Sequence, residues 1–408
     1  MSAAARYLRS LLFSTLALLG LVATFNLLVD PYGLFRVVNF DGFNRIKSQA
    51  GQRAEMYKRT GAERMRPKTL ILGNSRAEIG FDPQGFDWPV SMRPVFNLAL
   101  PGSGVDSALE EFTHVLEYTT PKVIIVGLDF LDFRVDPGTL DDPLPAPIDR
   151  LRWWRERFSA LLTINALADS LATLKAQHDP YPTSLSDVGF NPMRDYVGIA
   201  RKEGYYAMFR QRDQENAKSY ARGSKTIYLA DGRPASEFRA VEKIIDIASG
   251  AGIQIRFLIY PVHAHALVLF HRAGLWPAFE AWKRELVKRV DGARAGANVE
   301  LWDFSGFSQY AVENIPPPGD TKSEMHWYWE AGHFKNSLGE VMLTNIFKSG
   351  ASQAEWGRRL TTGNLEDHLQ DQRAARDEYE RSHSAEVAEL ADLVGTMSST
   401  SGPSRNRK

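Results

Sequence analysis

Three residues of this chain have the side chains needed for nucleophilic catalysis: Ser75, Glu330 and His333. A free serine hydroxyl is a weak nucleophile at neutral pH, so it needs a neighbouring base. His333 could take the proton from Ser75 as the hydroxyl attacks an acyl carbonyl, and Glu330, three residues earlier, could orient the imidazole. The sequence therefore contains the parts of an acyl-transfer site, provided that the fold brings them together.

An apolar run at 69–72 predicts a short buried strand, and Ser75 follows it after Gly73 and Asn74. In a parallel α/β sheet, the loop that leaves the carboxyl end of a strand opens into the ligand crevice. A serine there can expose its hydroxyl while its own backbone N–H helps to bind an oxyanion. The stretch also fits an ordinary Gly-Asn-Ser turn, and both interpretations stay open at this point.

Apolar strands alternate with helical segments along most of the chain, which predicts an α/β fold: a three-layer α/β/α sandwich with a mainly parallel central sheet. The predicted strands are 69–72, 95–98, 122–128, 253–260 and, as the last one, 299–304. The predicted helices between and after them are 106–118, 236–248, 275–290 and 337–347.

Residues 135–233 interrupt this alternation. Four prolines (Pro137, Pro143, Pro145 and Pro147) indicate a loop, and two or three helices follow, one of them at 151–175. We interpret the segment as a helical insertion. It either covers the carboxyl edge of the sheet or is a peripheral elaboration, and the residues do not decide between the two.

Residues 10–29 form an uncharged, leucine-rich run preceded by Arg6 and Arg9. A helix of this length spans about 30 Å, the thickness of a bilayer core. We interpret it as an uncleaved signal anchor rather than a cleaved signal peptide, because no small-x-small cleavage site follows closely. Arginines before the span favour a cytoplasmic amino terminus, so we expect a single-pass protein of the bacterial inner membrane with its catalytic domain in the periplasm or outside the cell.

The predicted organisation has four parts: an anchor at 1–30, a juxtamembrane helical linker at 31–66, an α/β domain at 67–350, and a charged helical extension with a disordered tail at 351–408. We expect a single amphipathic helix at 365–393. The basic residues of the linker are expected to coat a solvated helix; they are Arg45, Lys47, Arg53, Lys58 and Arg59.

Composition excludes several classes of function. The chain has no cysteine, which rules out disulfides, zinc–thiolate sites and thiol catalysis. Its 49 basic and 49 acidic residues balance, so nothing supports a nucleic-acid partner.

His263 and His265 form a His-x-His pair at the end of the predicted strand 253–260. On an extended strand both rings would face the same side, a spacing seen in metal sites, so with His326, Glu330 or His333 they could bind zinc. The pair equally suits substrate contact in the same crevice. Trp327, Tyr328 and Trp329 could line a sugar-binding surface, although buried aromatic packing fits them better.

In order and spacing, residues 65–350 resemble the SGNH/GDSL hydrolase superfamily. The stretch GNSR at 73–76 resembles the serine block, NLALPG at 97–102 the second block, GLD at 127–129 the third, and EAGH at 330–333 the Asp-x-x-His block. Together with the anchor, the chain is most similar to the membrane-tethered branch, such as alginate O-acetylation and teichoic-acid D-alanylation proteins. The resemblance implies that the Gly102 amide serves the oxyanion hole.

Two departures from the family pattern affect the site. Glu330 stands where Asp is usual, and the longer side chain can still reach a ring nitrogen. Asp129 stands where the family has an oxyanion-hole Asn, and an ionised carboxylate cannot donate. Asn74, Asn97 or a backbone N–H could replace that donor, and we group Arg76 with these oxyanion- and substrate-binding residues.

Three functional hypotheses follow. The first is a cofactor-free serine esterase or O-acyltransferase that acts on acylated envelope polysaccharide or a small acyl ester, in which a membrane acyl-transfer partner could take part. The second is a catalytically inactive envelope-assembly or glycan-binding protein of the same fold, motivated by Asp129. The third is a metal-dependent hydrolase that uses His263 and His265.

Overall fold

The computed structural model describes residues 2–139, 150–348 and 356–399. In this part of the chain the strands are β1 (Thr69–Leu72), β2 (Val95–Asn97), β3 (Val123–Leu128), β4 (Gln254–Ile259), β5 (Val299–Asp303), β6 (Tyr328–Glu330), β7 (His333–Phe334) and β8 (Arg358–Leu360). The α-helices are α1 (Ala3–Val29), α2 (Ala54–Met65), α3 (Ser75–Gly80), α4 (Val105–Leu116), α5 (Arg150–Leu162), α6 (Ile164–Ala176), α7 (Arg194–Glu203), α8 (Tyr205–Arg222), α9 (Glu237–Gly250), α10 (Ala264–Arg272), α11 (Trp276–Asp291), α12 (Asn336–Phe347), α13 (Leu365–Ser382) and α14 (Ser384–Ser399).

The centre of the fold is a six-stranded sheet with the order β2-β1-β3-β4-β5-β8. Its first five strands are parallel, and β8 runs antiparallel to β5. Every residue of β1 and β3 is buried, as expected for strands covered on both faces. The prediction of an α/β protein with a mainly parallel sheet is confirmed.

The register of the sheet decides which loops meet. Leu70 of β1 lies between Phe96 of β2 and Ile124 of β3. Because the three strands are parallel, their carboxyl ends reach the same edge, where the loops with Ser75 and Asp129 begin. The three strands therefore place residues that are far apart in sequence side by side.

One prediction about strands is wrong. The strand at Val299–Asp303 is not the last one, because β8 extends the sheet beyond residue 350 and the α/β domain does not end there. Glu330 and His333 lie on the antiparallel hairpin β6–β7, which is separate from the main sheet.

Two predicted helices are each broken in two. The helix expected at 151–175 ends at Leu162, because the hydroxyl of Thr163 accepts a hydrogen bond from the Ala166 amide and starts a new helix. The helix expected at 365–393 is divided at His383 into α13 and α14.

Helix α1 is long and apolar enough to cross a membrane. The predicted span at 10–29 includes residues that belong to the folded protein. Asn26 and Val29, at the carboxyl end of α1, are buried against the rest of the protein. The last turns of α1 therefore belong to the folded domain, whereas large apolar side chains from Leu8 to Leu21 are exposed.

The basic residues of segment 31–66 do not all coat a solvated helix, so that prediction is wrong. Lys58 and Arg59 on α2 are buried. Lys58 Nζ lies 2.8 Å from a carboxylate oxygen of Glu78 on α3, and Arg59 Nη2 lies 2.7 Å from Glu111 on α4. These ion pairs join α2 to the α/β domain. They also supply the partners without which the buried charges would be strongly destabilising.

The described part of the insertion 135–233 is mainly helical, from α5 to α8. Helix α8 packs against β6, so at least this helix lies beside the hairpin that carries Glu330. Pro143, Pro145 and Pro147 of the predicted loop lie outside the described residues, as does the carboxyl-terminal segment 400–408.

Candidate active site

Ser75 is the first residue of α3, three positions after the end of β1. The turn between strand and helix is closed by Asn74, whose Oδ1 accepts a hydrogen bond of 3.0 Å from the Arg76 amide. This capping bond fixes the start of the helix. As a result the half-buried Ser75 side chain lies at the carboxyl edge of the sheet.

The backbone at this turn requires glycine. Gly73 has a φ of +140°, and a Cβ there would lie 2.2 Å from the hydroxyl of Tyr260. A Cβ on Gly127 of β3 would meet the same hydroxyl at 1.8 Å. Both glycines therefore make room for the Tyr260 side chain beneath the serine turn.

The side chains of Ser75 and His333 are in contact although 258 positions separate them in sequence: Ser75 Oγ lies 2.8 Å from His333 Nε2. On the other side of the ring, His333 Nδ1 is hydrogen-bonded to Oε1 of Glu330. A proton on Nδ1 donates to the carboxylate, which leaves Nε2 with a lone pair that can accept the serine proton. The arrangement has the connectivity of a Ser-His-acid triad.

Glu330 is buried and fully hydrogen-bonded. Its Oε2 accepts from the Gly332 amide at 2.8 Å and from Nε of Arg212 at 2.9 Å. Burial alone would raise the pKa of Glu330, but the charges and hydrogen bonds of His333, Arg212 and the Gly332 amide lower this pKa to about 2. The carboxylate therefore stays ionised at neutral pH and can stabilise an imidazolium beside it.

Arg76 connects the hairpin to the sheet edge. Its Nε donates to the carbonyl of Gly332 at 2.7 Å, and its Nη1 forms an ion pair with Asp129 at the end of β3. Both bonds hold the 330–333 turn against the serine loop, so Arg76 acts here as a positioning residue.

Asp129 lies at the site but accepts hydrogen bonds only. Besides Arg76, its carboxylate accepts from Nδ2 of Asn74 at 3.1 Å and from the Leu131 amide at 3.1 Å. It cannot supply the donor that the family pattern expects there. Instead it orients the amide of Asn74, whose second Nδ2 hydrogen has no partner among the described residues.

The other candidate oxyanion donors differ in availability. Gly102 follows β2 with a φ of +71°, and nothing in the described structure lies within 4 Å of a Cβ placed on it. Gly102 is therefore an exposed residue of the loop that follows β2. Asn97 is wrong as a donor: its Nδ2 is buried and donates to the carbonyls of Ala77 and Phe81, both at 2.8 Å.

The prediction for His263 and His265 is also wrong. The pair does not lie on an extended strand, because His263 caps α10 and His265 lies in its first turn. Both rings are buried, which removes them from substrate contact. Among the described residues, no group of three or more histidine, aspartate or glutamate side chains could hold a metal ion.

Hydrogen bonds explain why these two rings do not suit metal binding. His263 Nε2 donates to the Glu313 carbonyl at 2.8 Å, and its Nδ1 accepts from the His265 amide at 3.3 Å. His265 Nδ1 lies 2.8 Å from Asp213. Burial opposes charge on His265, but Asp213 and Glu386 raise its pKa to about 9, and a protonated imidazole cannot bind a metal.

Arg212 is a site residue that the sequence analysis missed. It lies on α8, inside the insertion, and no local pattern marks it, because its role depends on how α8 packs over the hairpin. Besides Glu330 it binds Glu215 through Nη1 at 2.8 Å. A cavity of about 120 Å³ lies beside Glu330. Its lining includes Glu330, Arg212, Glu215, Tyr196 and Met208.

We expect Arg212→Gln to lower kcat for a small acetyl ester by about tenfold to a hundredfold, because a small displacement of the Glu330–His333 pair misplaces the base. The KM should change little, since Arg212 does not touch Ser75. Steady-state kinetics would measure both quantities. Arg210→Gln is the matched control: it lies on the same helix and is similarly exposed, but pairs with Glu389. Equal losses in both variants would contradict a positioning role.

One of the three aromatic residues before Glu330 lines a larger cavity. Trp329, Tyr205 and Lys335 contribute to a space of about 370 Å³ that also borders Arg201. Lys335 Nζ lies 4.3 Å from the centre of the Trp329 ring. Tyr328 is buried, so aromatic packing and cavity lining both occur in this stretch.

No protein-family model matches the chain, and no curated protein matches its sequence.

Proposed function

We propose that the protein is a membrane-anchored serine esterase or O-acyltransferase of the SGNH type, with helices on both faces of the sheet as in a three-layer sandwich. The observation that carries the proposal is the continuous chain of hydrogen bonds from Ser75 through His333 to Glu330. No cofactor takes part in the chemistry that this chain of groups can perform.

In the proposed reaction, Ser75 Oγ forms a bond to the acyl carbonyl carbon while its proton passes to His333 Nε2. Glu330 stabilises the resulting imidazolium. The carbonyl oxygen becomes an oxyanion that the backbone amides of Ser75 and Gly102 and the side-chain amide of Asn74 can bind. The imidazolium then protonates the leaving alcohol, and an acyl-enzyme remains on Ser75.

In the second half of the reaction, water or a sugar hydroxyl attacks the acyl-enzyme. His333 Nε2 removes the proton of the attacking group, and Ser75 Oγ is released with that proton. Water as the acceptor makes the protein an esterase, and a sugar hydroxyl makes it an acyltransferase. Both outcomes use the same residues.

We propose acylated cell-envelope glycans as the substrate class, and small acyl esters as simpler substrates. Two features support a glycan. Helix α1 would hold the site close to a membrane surface, and the cavity with Trp329 offers an aromatic ring next to cationic and hydroxyl groups. A membrane acyl-transfer protein could supply the acyl group.

The proposed location is the bacterial inner membrane, with one crossing and with the α/β domain in the periplasm or outside the cell. Arg6 and Arg9, before the apolar part of α1, support a cytoplasmic amino terminus.

A catalytically inactive envelope-assembly or glycan-binding protein is the second candidate, and Asp129 is the observation that favours it. Loss of one oxyanion donor costs on the order of 10²–10³ in rate. If Asn74 does not replace that donor, the fold could persist without useful turnover.

Labelling with a serine-directed fluorophosphonate tests the proposal. We expect one adduct, located at Ser75 by peptide mass spectrometry, because Ser75 is the serine that His333 contacts in the described part of the chain. His333→Gln should prevent the adduct, and so should unfolding the protein before the reagent is added. Absence of an adduct on the folded wild-type protein would contradict the proposal and support the inactive alternative.

A further inference from the structure

Helix α5 carries large apolar side chains that the protein does not bury. Leu151, Trp154, Phe158 and Leu162 follow each other at intervals of three or four residues, so they lie on one face of the helix. Their exposed fractions range from 50% to 79%. Helix α6 continues the pattern with Ile164 and Leu171.

We call these six residues the apolar stripe. Soluble surfaces rarely expose a contiguous apolar patch without a partner. The opposite side of the helix pair is packed in the ordinary way: Ala160 and Ala166 form a small core with Tyr32, Leu34 and Met56. The stripe is therefore the exposed face of the helical hairpin formed by α5 and α6, whose other side packs against the domain.

The hairpin is joined directly to the carboxyl end of α1. Asn26 of α1 donates to the Leu161 carbonyl at 2.9 Å, and its Oδ1 accepts from the Ser170 hydroxyl at 2.9 Å. The buried side chain of Asn26 thus forms hydrogen bonds that join α1 to both α5 and α6. Since α1 is the helix that can cross a membrane, the hairpin lies where the chain would leave the bilayer.

The charges of α5 suit an anionic lipid surface. Its sequence contains four arginines (Arg150, Arg152, Arg155 and Arg157) and one acidic residue, Glu156. Arg155 is exposed, and the Arg157 guanidinium lies 5.7 Å from the centre of the Trp154 ring. Helices with Trp, Phe and Leu on one face and arginines beside them lie in the membrane interface.

We infer that the α5–α6 hairpin is a second membrane-binding element, which inserts the apolar stripe into the headgroup and upper acyl region of the bilayer next to α1. The inference rests on the membrane anchor of the proposed function and is independent of its chemistry. With α1 alone, the domain could turn freely about one attachment; the hairpin would hold its orientation relative to the membrane.

Single nitroxide labels on the full-length chain test this inference, and the absence of native cysteine gives each label a unique site. Phe158→Cys and Leu171→Cys report on the stripe. Leu16→Cys reports on α1, and Val90→Cys, which is highly exposed outside the hairpin, is the matched control. Circular dichroism melting checks that each labelled variant is folded. The protein is reconstituted into vesicles of phosphatidylethanolamine and phosphatidylglycerol.

Electron paramagnetic resonance then measures collisions with oxygen, which concentrates in the bilayer, and with a water-soluble nickel chelate. We expect nickel accessibility at Phe158 and Leu171 to be at least about fivefold lower than at Val90, with raised oxygen accessibility, because an interfacial apolar face lies about 5–10 Å inside the boundary.

Two results would overturn the inference. Nickel accessibility at Phe158 equal to that at Val90, with Leu16 protected, would place the stripe in water while the anchor holds. Low accessibility of Phe158 to both reagents would show that a protein surface, such as a second copy of the chain, covers the stripe. Exposure of Leu16 to the chelate would refute the anchor itself, and with it the membrane part of the proposed function.

Discussion

Replacing Ser75 by Ala is expected to lower turnover of a small acetyl ester by at least about 10³-fold, because the proposed acyl-enzyme forms on the Ser75 hydroxyl. The substitution removes one hydroxyl at a half-buried position and keeps the Asn74 cap that starts α3. The fold should therefore be unchanged. Spectrophotometric assay of p-nitrophenyl acetate, corrected for hydrolysis without protein, would measure the loss.

Ser103→Ala is a suitable control for this prediction. Ser103 is also half-buried and follows β2 at the same edge of the sheet, but its hydroxyl donates to the Leu100 carbonyl at 2.8 Å. We expect it to keep turnover close to that of the wild type. If Ser75→Ala retained full turnover, Ser75 could not be the nucleophile, and the proposed chemistry would be wrong.

Replacing Glu330 by Gln is expected to lower kcat by about 10³–10⁴-fold, as for other triads in which a neutral amide replaces the acid. Gln presents either an amide N–H or a neutral oxygen to His333 Nδ1, so it neither selects the productive tautomer nor stabilises the imidazolium. The KM should change much less. Steady-state kinetics at several pH values would separate these effects.

The matched control is Glu215→Gln, because Glu215 is the other carboxylate bound to Arg212 and does not touch His333. Its kcat should stay near the wild-type value. Equal losses in the two variants would show that the Arg212 ion pairs matter only for structure, which would contradict the assignment of Glu330 to the triad.

Acid unfolding provides a second readout for Glu330→Gln. The folded protein lowers the pKa of Glu330 from 4.5 to about 2, so the carboxylate stabilises the fold above pH 4.5. That contribution is lost as the pH falls from about 4.5 towards 2. The variant lacks the titrating group, so its free energy of unfolding should fall less over this range than that of the wild type.

Asp129 shows how a departure from the family pattern fits the structure. A carboxylate cannot donate to an oxyanion, but here it accepts from Arg76 and Asn74 at once. Arg76 in turn holds the Gly332 carbonyl. Asp129 thus takes part in two bonds, one that helps to position the hairpin and one that orients the Asn74 amide.

Local patterns were sufficient to predict the parallel strands and the sheet edge at which Ser75 and Asp129 lie. Apolar runs of about four to eight residues with polar loops after them mark buried strands, and burial of a strand depends mainly on its own composition. Because loops after parallel strands share one edge, the sequence placed Ser75 at that edge. Its contact with His333 depended on the β6–β7 hairpin, which is not part of the main sheet.

Other features had no local signal. The serine turn needs Gly73 because a side chain at this position would collide with the Tyr260 hydroxyl. Tyr260 is 187 positions away in sequence, so the residues of the turn do not indicate this contact. In the same way, Asn97 resembles an oxyanion donor in sequence, yet in the fold its amide holds the carboxyl end of α3.

By itself, the sequence determined the class of fold, the length and apolar composition that would let α1 cross a membrane, and the three residues able to form a triad. Each of these depends on residue type and short-range periodicity. Only the tertiary structure decided that Arg212 supports Glu330, that Lys58 is buried and that β8 completes the sheet. These features depend on contacts between segments that are distant in sequence. The energy of a buried charged or polar group is set by its burial and by its specific partner, and the residues next to it in sequence do not identify that partner.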